Sequence, residues 1–160
     1  MIVEKPKFII IDVDGIMTTG QIFVSAKGKE FKIFGAHDHD GLKLMTKHFK
    51  IFFITADSSG YKISKKRIVD QMKFKLFLVN ENKRENFLKR KFGLKNIIYI
   101  GDGLYDANII KKSAYGICAK NSRNECKKYA KFVTQSKSAE GAILDAALHI
   151  LKKFKIKYNV

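Results

Sequence analysis

The chain has 160 residues, 46% apolar and 29% charged, which is the composition of a folded domain rather than a disordered or fibrous chain. No apolar run approaches the roughly 18 residues that span a bilayer. A formal charge of +17 attracts polyanions, but the lysines and arginines are scattered in pairs, cluster only modestly at Lys152 to Lys157, and accompany no zinc-finger or RNP-type pattern, so nucleic-acid binding is not expected.

The N-terminal MIVEKPKFIII lacks the cationic, long apolar and small-residue segments of a secretory leader and reads as the approach to a strand. Lys7 to Val13 is a β-branched apolar run suited to a buried parallel strand. QIFVSAKGKEFKIF alternates about a turn at Ala26 to Lys29, a hairpin signal. After HDHDG come a helix, GLKLMTKHF, and a strand, KIFFIT. Lys62 to Met72 predicts a helix, Lys75 to Val79 a strand, and Lys83 to Phe92 a helix stopped by Gly93. NIIYIGD is a strand followed by a helix from Tyr105 to Lys112. AYGICA is a short strand, Asn121 to Tyr129 a helix with Asn121 as its N-cap, KFVT a last strand, and Glu140 to Phe154 a terminal helix. Strands that are continuous apolar runs alternating with helices predict one α/β domain over residues 1–160: a Rossmann-like open parallel sheet covered on both faces.

Cys118 and Cys126 match neither a metal-ligand pattern nor a disulfide framework, so free thiols and a cytoplasmic location are expected.

Ligands of open α/β sheets bind beyond the carboxyl ends of the strands. Those ends carry Asp12 and Asp14, Thr55, Lys83 at the head of a helix, and Asp102 with Asp106 four residues on. Each has an ordinary structural use as a turn, cap or solvated residue. Together they crowd acids at one sheet edge, which costs stability unless a cation binds. A few carboxylates plus water and substrate phosphate suit Mg²⁺. His37 and His39 beside Asp38 and Asp40 could form a second metal cluster; because Asp12 and Asp14 already make a site, a substrate-contacting loop is the better reading.

DVDGIMT at Asp12 to Thr18, Thr55 in FFIT, Lys83, and GDGLYD at Gly101 to Asp106 resemble, in order and spacing, the four motifs of haloacid dehalogenase superfamily phosphatases. The longer opening, DVDGIMTTGQIFVSAKGKEFKIFGAHDHDGLKLM with Asp40-Gly41, is similar to that of 3-deoxy-octulosonate 8-phosphate phosphatases and their sialic-acid-pathway relatives. Two places depart from that family. Thr55-Ala56-Asp57 stands where Thr-Gly-Arg is usual, with the next arginine at Arg67, and SAEGAILD lacks the arginine of the family's C-terminal loop.

The resemblance implies that Asp12 attacks phosphorus and Asp14 acts as general acid and base. It further implies Mg²⁺ on Asp12, Asp14 (through its carbonyl) and Asp102, with Thr55 and Lys83 on the phosphate. Asp106 would hold Lys83 or the motif loop, and Asp40, Gly41 and Arg67 are candidate substrate contacts. The substrate would be a small phosphorylated sugar acid, 3-deoxy-octulosonate 8-phosphate or a nonulosonate 9-phosphate. About 40 residues separate Asp14 from Thr55 and about 18 separate Lys83 from Asp102, room for a hairpin but no cap domain. In the resembled family the hairpin helps build a tetramer whose subunits cover each other's sites, so a homotetramer is expected, with no membrane or nucleic-acid partner. The same chemistry on another small phosphate stays open, as does a non-catalytic oligomerisation module like the phosphatase-like domain of some sialic-acid cytidylyltransferases.

Overall fold

Six strands form one parallel sheet in the order β5-β4-β1-β6-β7-β8: β1 (Phe8–Asp12), β4 (Lys50–Thr55), β5 (Lys75–Leu78), β6 (Ile97–Ile100), β7 (Tyr115–Cys118) and β8 (Phe132–Val133). The computed structural model describes residues 5–159; the first four residues of the expected N-terminal strand approach, and Val160, lie outside them. Strand order runs one way from β1 through β4 and the other way through β6. The β1–β6 boundary is therefore the switch point at which such sheets open a crevice.

Alternation along β1 divides the core. Ile9 and Ile11 join Ile51, Phe53, Ile98 and Ile100 under α1 (His37–Thr46) and α6 (Ala142–Lys153). Ile10 faces the other way, with Ile54, Tyr99, Leu88 and Phe92, under α3 (Glu81–Phe92) and α4 (Ala107–Lys112). Asp12 keeps the parity of Ile10 and so points to the α3 side.

Several boundaries differ from the sequence reading. α1 begins at His37, so Asp40-Gly41 lies inside it rather than before it. Two acids in its first turn complement the helix dipole. Gly41 is required there because a Cβ would lie 2.7 Å from the Ile143 carbonyl oxygen of α6. α3 begins at Glu81, capped by Asn80, whose side chain accepts the Asn82 N–H at 3.0 Å. Helix α5 is only Asn124–Lys127, and Asn121 does not cap it: its amide instead donates to Ser138 Oγ at 2.8 Å and accepts the Ser138 N–H at 2.9 Å. The expected helix over Lys62 to Met72 is α2 (Tyr61–Lys65) running into a wider turn, Lys66–Gln71.

Between β1 and α1 lie a wide turn, Val13–Met17, and an antiparallel hairpin of β2 (Thr18–Ser25) and β3 (Gly28–Phe34). This interval holds no cap domain. The hairpin's apolar residues Ile22, Phe23, Val24, Phe31 and Ile33 are 40–67% exposed.

Candidate active site

The turn after β1 sets the geometry. Gly15 at φ 96° occupies the left-handed region, and a Cβ there would overlap the Asp102 carboxylate. The absent side chain lets the β1 turn close on the β6 end. Thr18 Oγ1 pins the same turn, accepting from the N–H groups of Gly15 at 3.4 Å and Gly20 at 3.3 Å.

A cleft of about 460 Å³ opens at this switch point, lined by Asp12, Asp14, Lys29, Asp57, Arg84, Asp102 and Asp106 among others. One oxygen each of Asp12, Asp102 and Asp106 lie within 4.8 Å of one another. Burial, then Asp106, Asp102 and Asp14, push the Asp12 carboxyl well above the usual carboxylate range despite Arg84. Burial with Asp106 and Asp14 raises Asp102 to about 7, against the pull of Arg84. Burial and the crowding of carboxylates thus both disfavour the ionised forms here.

The expected cation is corrected. Lys83 is exposed, and Arg84 enters the site instead. On α3 the buried stripe is Arg84, Leu88 and Phe92, four residues apart, and Lys83 lies one step off it. Arg84 Nη1 donates to Asp12 Oδ1 and Asp106 Oδ1, both at 2.8 Å, and lies 3.3 Å from the Tyr99 hydroxyl. Burial alone would lower the guanidinium's pKa, but Tyr99, Asp12 and Asp106 hold it firmly charged.

Asp106 is consumed by this frame. Its Oδ1 also accepts from Tyr99 OH at 2.6 Å, and its Oδ2 accepts the N–H groups of Asp102 at 3.1 Å and Gly103 at 3.0 Å. It orients the β6 loop and Arg84 and has little capacity left for an ion.

Asp14 sits at the cleft edge. Thr55 Oγ1 donates to its Oδ2 at 2.9 Å, and Lys32 Nζ contacts its Oδ1 at 2.7 Å. Lys32 also contacts Asp57 Oδ2 at 2.8 Å, while Lys29 holds Asp57 Oδ1 at 2.5 Å. Neither lysine is among the site residues expected from the sequence, because strand alternation alone does not mark a lysine as buried.

The candidate substrate contacts Asp40, Gly41 and Arg67 are not brought into the cleft. Asp40 is exposed beside Lys43, Gly41 packs on α6, and Arg67 donates to Gln71 Oε1 at 3.1 Å away from the cleft. Asp38 is fully buried and accepts the N–H groups of Ile143 at 2.7 Å and Gly141 at 3.4 Å, capping α6. It therefore serves the fold rather than a histidine-containing metal cluster. No helix among the described residues is long and apolar enough to cross a membrane.

A family profile described as haloacid dehalogenase-like hydrolase matches residues 85–146. The 3-deoxy-D-manno-octulosonate 8-phosphate phosphatase KdsC of Salmonella typhi is 26% identical over 145 residues, 88% of this chain and 76% of that protein. The crystal structure of the Moraxella catarrhalis 3-deoxy-D-manno-octulosonate 8-phosphate phosphatase superposes with a TM-score of 0.79 at 26% identity, covering 96% of this chain and 91% of that one. The chain is a phosphatase, similar in sequence and fold to those of the haloacid dehalogenase type.

The relatives add detail to that likeness. The Moraxella catarrhalis structure is a complex with a magnesium ion, a phosphate ion and a KDO molecule. The cobalt-bound Haemophilus influenzae phosphatase shares the fold, with a TM-score of 0.82 at 24% identity over 96% of this chain and 91% of that one. The hydrolase profile reaches Asp102 and Asp106 but not Asp12, Asp14 or Thr55.

Proposed function

We propose that this phosphatase hydrolyses 3-deoxy-D-manno-octulosonate 8-phosphate, or a related nonulosonate 9-phosphate, with Mg²⁺ and through an aspartyl-phosphate on Asp12. The observation that carries the reading is the meeting of Asp12 and Asp102 at the switch point, with Asp14 two residues on and Arg84 bonded to Asp12 at 2.8 Å. The names of the relatives, and the contents of the Moraxella catarrhalis complex, support the substrate class.

The donor set fits the metal. The carboxylate oxygens of Asp12 and Asp102 lie close together, their pKa values are raised by burial and by neighbouring carboxylates, and glycine at position 15 leaves space against Asp102. Asp12, Asp102 and the Asp14 carbonyl would hold Mg²⁺. Bound there, it offsets the charge of the nucleophile and the incoming phosphate.

The chain's own residues account for the steps. An Asp12 oxygen bonds to phosphorus as the ester P–O bond breaks, and Asp14 gives the leaving alkoxide its proton. Asp14 then takes a proton from water as that water attacks phosphorus, which frees Asp12. Arg84 keeps Asp12 fixed and presents positive charge to the transferring group, the role expected of Lys83. Thr55 reaches a phosphate oxygen only by releasing Asp14, so in the state described here it serves as an orienter of the acid/base.

Lys29, paired with Asp57 on the cleft wall, supplies positive charge for the sugar-acid carboxylate. Water exclusion needs a cover that the described residues of one chain do not supply, and the exposed hairpin face is suited to form one by assembly into a homotetramer. A second reading, the same chemistry on another small phosphate, is favoured by Asp57 standing where the related family carries arginine. Phosphate release from a monoester panel that includes both keto-acid sugar phosphates, with Mg²⁺ and with EDTA, separates the two. The first reading expects preference for a keto-acid sugar phosphate; equal or better turnover of unrelated esters favours the second.

A further inference from the structure

Side chains of β3 alternate: Phe31 and Ile33 face outward and are exposed, and Lys32 between them turns inward with its side chain fully buried. A lysine so placed needs every donor satisfied. Its ammonium has three partners: Asp14 Oδ1 at 2.7 Å, Asp57 Oδ2 at 2.8 Å and Ser64 Oγ at 3.0 Å. These match its three N–H groups, leaving none for substrate. Space is made for it, since a Cβ on Gly60 would lie 2.7 Å from Lys32 Cε and overlap Asp57.

We propose that Lys32 is a positioning residue that fixes the Asp14 carboxylate for proton transfer, so that the hairpin completes the acid/base machinery as well as offering an outer face. The assignment rests on the phosphatase reading above. Lys32 holds Oδ1 and Thr55 holds Oδ2, which leaves the Asp14 carboxyl plane no free rotation. Asp57 and Ser64 anchor Lys32 from α2 and the β4 loop, so the hairpin, β4 and α2 jointly set where the proton is delivered. Misplacing a catalytic group by about 1 Å can cost on the order of a hundredfold in rate.

Leaving-group dependence tests this. Alkyl phosphates need protonation of a poor leaving group, whereas p-nitrophenyl phosphate releases a stable phenolate and needs little acid. kcat/KM is measured for Lys32→Met on p-nitrophenyl phosphate and on the best alkyl ester of the panel. Circular dichroism and denaturation confirm the fold. The expected loss is about 30-fold or more on the alkyl ester and less than about threefold on the aryl ester. Equal losses on both, or no loss on either, overturn the role. If Lys32→Met does not fold, Gly60→Ala makes the same comparison, because it displaces Lys32 and Asp57 without removing a charge. A wild-type protein that hydrolyses neither ester overturns the phosphatase reading and the Lys32 role together; an active wild type with equal losses in the variant overturns Lys32 alone.

Discussion

Arg84 and Asp12 are joined by a buried bond of 2.8 Å, from a helix and a strand 72 residues apart in the chain. Asp106 and Tyr99 secure the same guanidinium from β6 and its loop. The cation of the site is thus set by helical phase, and its neighbour Lys83 is left in solvent. Arg84→Ala should lower kcat/KM by about 10²–10³, the usual effect of removing a donor from a developing charge. It should also lower stability by about 3–5 kcal/mol, because two buried carboxylates lose their partner. Lys83→Ala should change kcat/KM by less than about twofold. Steady-state kinetics and urea denaturation check both, and the reverse ranking would restore Lys83 as the phosphate cation.

Asp12→Asn should abolish turnover, since an amide is a poor nucleophile. In metal-free buffer the variant should be at least as stable as wild type: the Asp12 carboxyl is raised by burial, Asp106, Asp102 and Asp14, so its ionised form is a burden near neutral pH. Mg²⁺ should raise the wild-type melting temperature and move the variant much less. A variant stabilised by Mg²⁺ as strongly as wild type would remove Asp12 from the metal site.

Asp57 predicts an acid dependence. Burial pushes its carboxyl up, but Lys29, Lys32, the Gly60 N–H and Ser59 outweigh that and hold it below its ordinary value of 3.8. The folded state therefore takes up this proton less readily than the unfolded chain. The stabilising contribution is fully present above the ordinary carboxylate range and fades as pH falls through the lowered folded value. In Asp57→Asn the loss of stability between pH 7 and pH 3 should be smaller than in wild type, by urea denaturation at each pH. An unchanged pH dependence would mean that the lysines do not hold Asp57 in solution.

The hairpin predicts assembly. Phe23 and Phe31 pack edge to face across the strands, 6.4 Å between centroids, yet both are more than half exposed. A two-stranded ribbon with such a face gains stability by burying it. Light scattering at moderate ionic strength should give four times the 18.3 kDa chain mass, and added salt should tighten the assembly by screening the +17 charge. Phe31→Lys should shift the mass to the single chain. A wild-type protein of single-chain mass with full activity would show that the site works uncovered.

The sheet and its acidic edge were readable because they depend on local pattern. Apolar runs mark the strands, and Asp12, Thr55 and Asp102 stand at strand ends, which parallel topology brings together. What the pattern concealed depends on phase and on distant contacts. In Asn82-Lys83-Arg84 two cations are adjacent, and the inward stripe that Arg84 shares with Leu88 and Phe92 decides which one faces the site. Lys32 reads as the polar side of an alternating strand until Asp14 and Asp57 bury it. Asp38 looks like part of a histidine–aspartate loop, but its partners are backbone amides more than a hundred residues away.

In the proposed reaction phosphate passes through Asp12. Asp14→Asn should slow release of the intermediate, because the base that activates water is gone. The variant is mixed with substrate and Mg²⁺, quenched rapidly and reduced with borohydride, which converts a phosphorylated aspartate to homoserine that mass spectrometry can locate. The account predicts homoserine in place of Asp12, dependent on substrate and absent after EDTA treatment. Turnover with no modification at Asp12, or with the modification on Asp102 instead, would contradict it.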